Sequence, residues 1–145
     1  MKNYLFAILF LNSCFFLTKK NSSENSSEII SLQKTACFGT CPIFKVTIYD
    51  DGKTFYFGEK FVKKIGRYNF TLSKKEINSI LKKANDINFY DLKNEYSENI
   101  SDLPSTFTKI KDKRIRNHIG APQKLRELEQ IIENIVLKKL EIKSF

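Results

Sequence analysis

Cys37 and Cys41 enclose Phe38-Gly39-Thr40 and run directly into Pro42. No other stretch is so well equipped for chemistry. A turn through Gly39 brings the two Cα atoms within the roughly 4.4–6.8 Å that a disulfide needs. The loop it closes is short, so the chain-entropy gain is modest, about 2 kcal/mol. Two sharper chemistries compete with a structural bond. Thiol redox normally uses Cys-x-x-Cys, and this spacing carries one residue more. Zinc in a structural site takes four ligands, and the sequence offers two thiolates and its one histidine, His118.

Other reactive groups are sparse. No nucleophile elbow, metalloprotease helix motif or phosphate-cradling glycine loop is present. His118 follows Arg114 and Arg116 on one face of an expected strand, where a solvated imidazole is the ordinary case. Asp50, Asp51 and Asp102 stand in turn or loop contexts, where Asp caps backbone amides. Asp102, before Leu103-Pro104, is the most interesting of them. An enzyme built on this chain would need a pocket lined by Asp102 and His118. We assign no catalytic residue, no metal ligand and no cofactor from the sequence.

The third cysteine has a different setting. Lys2 precedes an apolar run over residues 4–11, and Ser13 precedes Cys14, the layout of a signal peptide. Asn12 and Ser13 interrupt the apolar run well short of the roughly 20 residues a membrane span needs. Leu11-Asn12-Ser13-Cys14 resembles the bacterial lipobox, whose cysteine becomes the first residue of the mature protein and carries lipid. The alternative is an ordinary cleaved signal, with Cys14 removed or left free. Each buried acyl CH₂ contributes about 0.8 kcal/mol, so several chains on Cys14 hold a protein firmly. Residues 1–13 are thus expected to be a signal peptide. Residues 14–28, polar and rich in Ser and Asn, are the lipidated cysteine and a flexible tether. Export places Cys37 and Cys41 in an oxidising compartment, which favours their disulfide.

Residues 29–145 form the single expected domain. Residues 29–36 suit a first strand. Phe44, Val46 and Ile48 alternate with Lys45, Thr47 and Tyr49, a half-buried strand. Asp51-Gly52 signals a hairpin. Its return strand places Phe55 and Phe57 on one side and Tyr56 on the other. Tyr68, Phe70 and Leu72 alternate in a fourth strand. Ser73-Lys74-Lys75-Glu76 is a capping box ahead of a stripe of Ile77, Ile80, Leu81, Ala84 and Ile87. Lys93 to Ser105 reads as a long loop. A second hairpin turns at Asp112-Lys113. Pro122 starts a last helix with Leu125, Leu128, Ile132, Ile135 and Val136 on one stripe. The expected class is α+β: an antiparallel four-strand meander, a helix, a β-hairpin and a C-terminal helix, with both helices on one sheet face.

Thr35-Ala36-Cys37-Phe38-Gly39-Thr40-Cys41-Pro42, then Val46-Thr47-Ile48-Tyr49 and Asp51-Gly52, resemble the signature block of an exported bacterial family, domain of unknown function 6438. Asp102-Leu103-Pro104, Gly120-Ala121-Pro122 and Leu125-Arg126-Glu127-Leu128-Glu129 resemble its later blocks. The resemblance spans roughly residues 29–137 and implies secreted proteins and lipoproteins. It brings no catalytic residue or ligand.

The formal charge of +9 rests on 21 lysines and 4 arginines dispersed along the chain, without the dense run typical of nucleic-acid binding. A membrane-anchored, non-enzymatic envelope lipoprotein is expected, with an envelope protein or anionic envelope component as partner and no nucleic acid. The expected binding surface is the sheet face opposite the helices, with Lys45, Tyr49, Tyr56 and Arg67, and the rim near Cys37–Cys41; Asp102 and His118 are further candidates for it. Thiol-redox or metal handling through Cys37 and Cys41 is the alternative.

Overall fold

The computed structural model describes residues 26–98, 100 and 102–142. The expected signal peptide, Cys14 and nearly all of the tether lie outside the described residues. The strands are β1 (Glu28–Lys34), β2 (Ile43–Tyr49), β3 (Lys53–Lys60), β4 (Gly66–Thr71), β5 (Glu95–Tyr96), β6 (Thr106–Ile110) and β7 (Lys113–Asn117). The helices are α1 (Lys74–Asp86) and α2 (Gln123–Ile142). Neither described helix is long and apolar enough to cross a membrane.

The first four strands form the expected antiparallel meander, and the later hairpin extends it from β1. The resulting order is β4-β3-β2-β1-β6-β7-β5, an α+β fold. β1 is therefore central, hydrogen-bonded to β2 on one side and β6 on the other. β5 lies within the segment expected to be loop. Its two residues pair parallel with β7, and the Arg116 and His118 amides donate to Asn94 O and Tyr96 O at 2.8 and 2.9 Å. So short a strand has no sequence period of its own; the edge of β7 creates it.

The capping box forms as read. The Glu76 amide donates to Ser73 Oγ at 3.3 Å, and Glu76 Oε2 accepts from the Ser73 amide at 2.8 Å. α2 lies on the sheet face that carries Lys34 and Thr108, bonded there through Glu133 and Glu129. α1 joins α2 through Lys83–Glu127 at 2.9 Å and Lys139–Glu76 at 3.1 Å. Ile30, Leu32, Val46, Ile48, Ile115, Leu125, Leu128 and Ile132 are fully buried in one core. Burial of each such side chain contributes about 1.5–3 kcal/mol. Among the described residues, every buried apolar residue lies between Ile30 and Leu140, so this segment carries its own core.

The facing of β3 corrects one expectation. Tyr56, expected on the binding surface, is only 1% exposed, whereas Phe55 and Phe57 are 46% and 42% exposed. The inward set of β3 is Thr54, Tyr56 and Gly58. Tyr56 stacks on Phe44 at 5.6 Å and lies against Tyr68 at 6.2 Å, filling the sheet end with three rings. Its hydroxyl has no hydrogen-bond partner among the described residues. Burial, with the Glu133 charge and Tyr68 adding to it, pushes the phenol up to about 12. A buried hydroxyl left unpaired costs about 1–3 kcal/mol. Tyr56→Phe should therefore raise stability, by about 1 kcal/mol, measured as an upward shift of the urea midpoint at unchanged slope.

Candidate functional site

Stretches far apart in the chain meet where β1 ends and β6 begins. Cys37 and Cys41 are joined, with Cα atoms 5.8 Å apart. The Phe38 amide donates to Asp102 O at 3.2 Å, so the ring is tied to the Asp102-Leu103-Pro104 segment. Three residues from that pair, Thr35 and Ser105 exchange bonds: the Thr35 amide donates to Ser105 O at 3.0 Å, and the Ser105 amide to Thr35 Oγ1 at 2.9 Å. Ser105 Oγ lies 3.2 Å from His118 Nδ1 and accepts from Arg116 Nε at 3.2 Å. His118 Nε2 faces Ile100 O at 2.5 Å. A carbonyl only accepts, so Nε2 carries a proton, and in the neutral imidazole Nδ1 then accepts from the Ser105 hydroxyl. Both imidazole nitrogens thus fasten the segment before β6. Ser105 is itself buried, so the serine–histidine contact positions backbone.

On the inner face beside this junction lies the feature the sequence reading passed over. Glu129 is 6% exposed, the one buried carboxylate among the described residues. Thr108 Oγ1 donates to it at 3.2 Å and Asn117 Nδ2 at 2.8 Å. Burial pushes its pKa up to about 7, against the pull of those two bonds and of the Lys34 and Arg126 charges. It borders a polar cavity of about 210 Å³ that Lys34, Asn117, Arg126 and Glu133 also line. Lys34 and Glu133 pair across it at 2.5 Å. A signal existed: Leu125, Leu128, Ile132 and Val136 define the inward stripe, and Glu129 stands at i+4 from Leu125 and i−3 from Ile132.

The opposite sheet face is open. Lys45, Thr47, Phe55, Phe57, Arg67 and Asn69 line a shallow groove of about 260 Å³. Phe55 packs edge-on against Tyr49 at 5.6 Å, and the Arg67 guanidinium lies 5.8 Å from the Phe57 ring. Along the same face the Arg114 guanidinium covers Phe107 at 4.2 Å. Lys45, Arg67 and Arg114 have no ion pair among the described residues, whereas Lys109 is matched by Glu28 and Arg116 by Glu95. Lys45, Tyr49 and Arg67 therefore share one surface. Asp102 and His118 lie at the junction beside β6 instead.

The family model of a domain of unknown function, DUF6438, matches residues 28–136. The chain belongs to that family. A search of curated proteins found no match.

The matched segment of this DUF6438 chain begins with β1 and ends within α2. It therefore includes the central strand, the disulfide ring, the junction and Glu129. Among the described residues, no group of three or more His, Cys, Asp and Glu side chains could hold a metal ion. Opening the Cys37–Cys41 ring by Cys37→Ala with Cys41→Ala should cost about 2 kcal/mol, because the closed loop is short. Urea unfolding of the double variant beside the parent measures it.

Proposed function

We propose that this DUF6438 chain is an exported bacterial lipoprotein, held on the envelope membrane through lipid on Cys14. Its domain is non-enzymatic and binds an anionic component of the envelope. The observation that carries the reading is the open sheet face. Phe55 and Phe57 are about half exposed on adjoining rows with Lys45 and Arg67, cations that lack ion pairs among the described residues. Aromatic and arginine side chains supply much of the energy at interfaces, and surplus positive charge selects an anionic partner.

Two experiments test the two halves. A palmitate analogue should label the wild-type chain in growing cells; equal labelling of Cys14→Ala would overturn the anchor. A photo-crosslinker at Phe57 should capture a partner in intact cells, and Lys45→Glu with Arg67→Glu should abolish the adduct. Recovery of no adduct, or of the same adduct from the charge-reversed chain, would overturn the binding role.

A second reading rests on the exposure of the disulfide ring, whose Phe38 is 92% exposed. An accessible bond can exchange with thiols. Thiol counting under denaturing conditions separates the readings. Cysteines that stay oxidised through a mild reductant mark a structural bond, and ready exchange marks redox work.

A further inference from the structure

Residues 61–65, Phe61-Val62-Lys63-Lys64-Ile65, connect β3 to β4 at the same end of the sheet as the disulfide ring. Phe61 stands at φ 56°, in the left-handed region that a bulky side chain seldom adopts. It is 44% exposed and Ile65 is 64% exposed. Behind them opens a mainly apolar cleft of about 240 Å³, lined by Pro42, Phe44, Phe61, Val62, Leu137 and Leu140. Charges ring its mouth. Glu133 is answered by Lys34 at 2.5 Å and Glu141 by Lys63 at 3.6 Å. Lys64 has no ion pair among the described residues, and the Lys60 ammonium sits 5.0 Å from the Phe61 ring. Glu59 is on the opposite face, in the row of Phe55 and Phe57.

Large apolar side chains at a loop tip, interleaved with lysines and backed by an apolar cleft, match a bilayer surface: acyl boundary below, phosphates above. We infer that this end of the domain docks on an anionic phospholipid bilayer. Phe61 and Ile65 enter the acyl boundary, Lys60, Lys63 and Lys64 meet the phosphates, and the cleft admits one acyl chain. The inference deepens the anchored reading and fixes an orientation that reading leaves open. With the strand ends on the membrane, the groove of Lys45, Phe57 and Arg67 faces sideways, clear of lipid. The chain length agrees. The span from Cys14 to Ser26 reaches about 40 Å when extended, further than the roughly 23 Å of β1 that separates the tether from this end.

The test uses residues 26–145, which contain every buried apolar residue described and lack Cys14. Co-sedimentation is measured with phosphatidylglycerol-rich vesicles and with pure phosphatidylcholine vesicles. Sedimentation with the anionic vesicles alone is expected. Phe61→Ser with Ile65→Ser should weaken it at least about tenfold, and Lys63→Glu with Lys64→Glu by about as much. Lys74→Glu with Lys75→Glu, at the start of α1 beyond the far end of β4, should leave it within about twofold, since those exposed lysines face away from the tip. Unchanged urea midpoints confirm folding of each variant. Equal partition onto neutral vesicles, no sedimentation at all, or as large a loss in the Lys74/Lys75 variant as in the Lys63/Lys64 variant would overturn the inference. Because no lipid anchor is present, these results stand apart from the labelling of Cys14.

Discussion

Gly58→Ala is expected to cost about 3 kcal/mol or more, above the usual range for an overpacked site. An added Cβ would stand 2.0 Å from Lys64 O, and 2.9 Å from both Tyr56 Oη and Val62 Cγ2. The nearest of these atoms is backbone, so no rotamer change relieves the clash. Residue 58 is also fixed on both sides, opposite Phe44 of β2 and Gly66 of β4. Either β3 must leave its register or residues 61–65 must lift away. Both routes open the cleft and unstack Tyr56 from Phe44. The measurement is a urea titration of purified Gly58→Ala beside wild type. An unchanged midpoint would show that the connection after β3 is looser than its contacts imply. Gly52→Ala, at a turn with φ 86° and a would-be contact of 2.5 Å to Leu72 O, should fail for a related reason.

The second large effect is on pH. The Glu129 carboxyl titrates near 4.5 in an unfolded chain and near 7 in the fold, chiefly because burial disfavours its charge. Between those values the folded state holds the proton and the unfolded state does not. The stability that this group contributes is therefore complete below about pH 4.5 and is lost as pH rises through 7. The difference of about 2.5 pH units corresponds to about 3 kcal/mol. Lys34 and Arg126 limit the loss, and the Lys34–Glu133 pair keeps Lys34 close by. Glu129→Gln should remove the dependence: its carbonyl accepts from Asn117 and its amide donates to the Thr108 hydroxyl. Urea unfolding at pH 5 and pH 8 tests this. Wild type should lose about 2.5 kcal/mol across the interval and Glu129→Gln less than about 1 kcal/mol. At pH 8 the variant should be the more stable. Parallel pH profiles would mean that Glu129 is wetter than its burial indicates.

The same carboxylate bears on function. A group with a displaced pKa beside a cavity is a common mark of a working site. Here Thr108 and Asn117 already occupy its oxygens, and the cavity wall is an ion pair. The arrangement holds β6, β7 and α2 together, while the open surfaces of the domain are the basic aromatic face and the tip at residues 61–65.

Local signals carried far along this chain. The Ser73–Glu76 capping box, the Asp51-Gly52 turn, the Cys37–Cys41 ring and the start of α2 after Pro122 each depend on residues a few positions apart. Their geometry is set by short-range sterics and hydrogen bonds, so the sequence determined them alone. The alternation in β2 also named its buried face, because Phe44, Val46 and Ile48 oppose polar neighbours. In β3 that logic breaks down. Residues 54–58 carry aromatic side chains in both rows, and a period of two cannot say which row turns inward. The tertiary structure decided it, through the space Gly58 must leave for Lys64 O and the stack of Tyr56 on Phe44. Tertiary structure likewise set the hairpin beside β1, induced β5 on the edge of β7, and enclosed Glu129 against Thr108 and Asn117. Those outcomes depend on packing between segments tens of residues apart, whose energies appear only once the sheet is assembled.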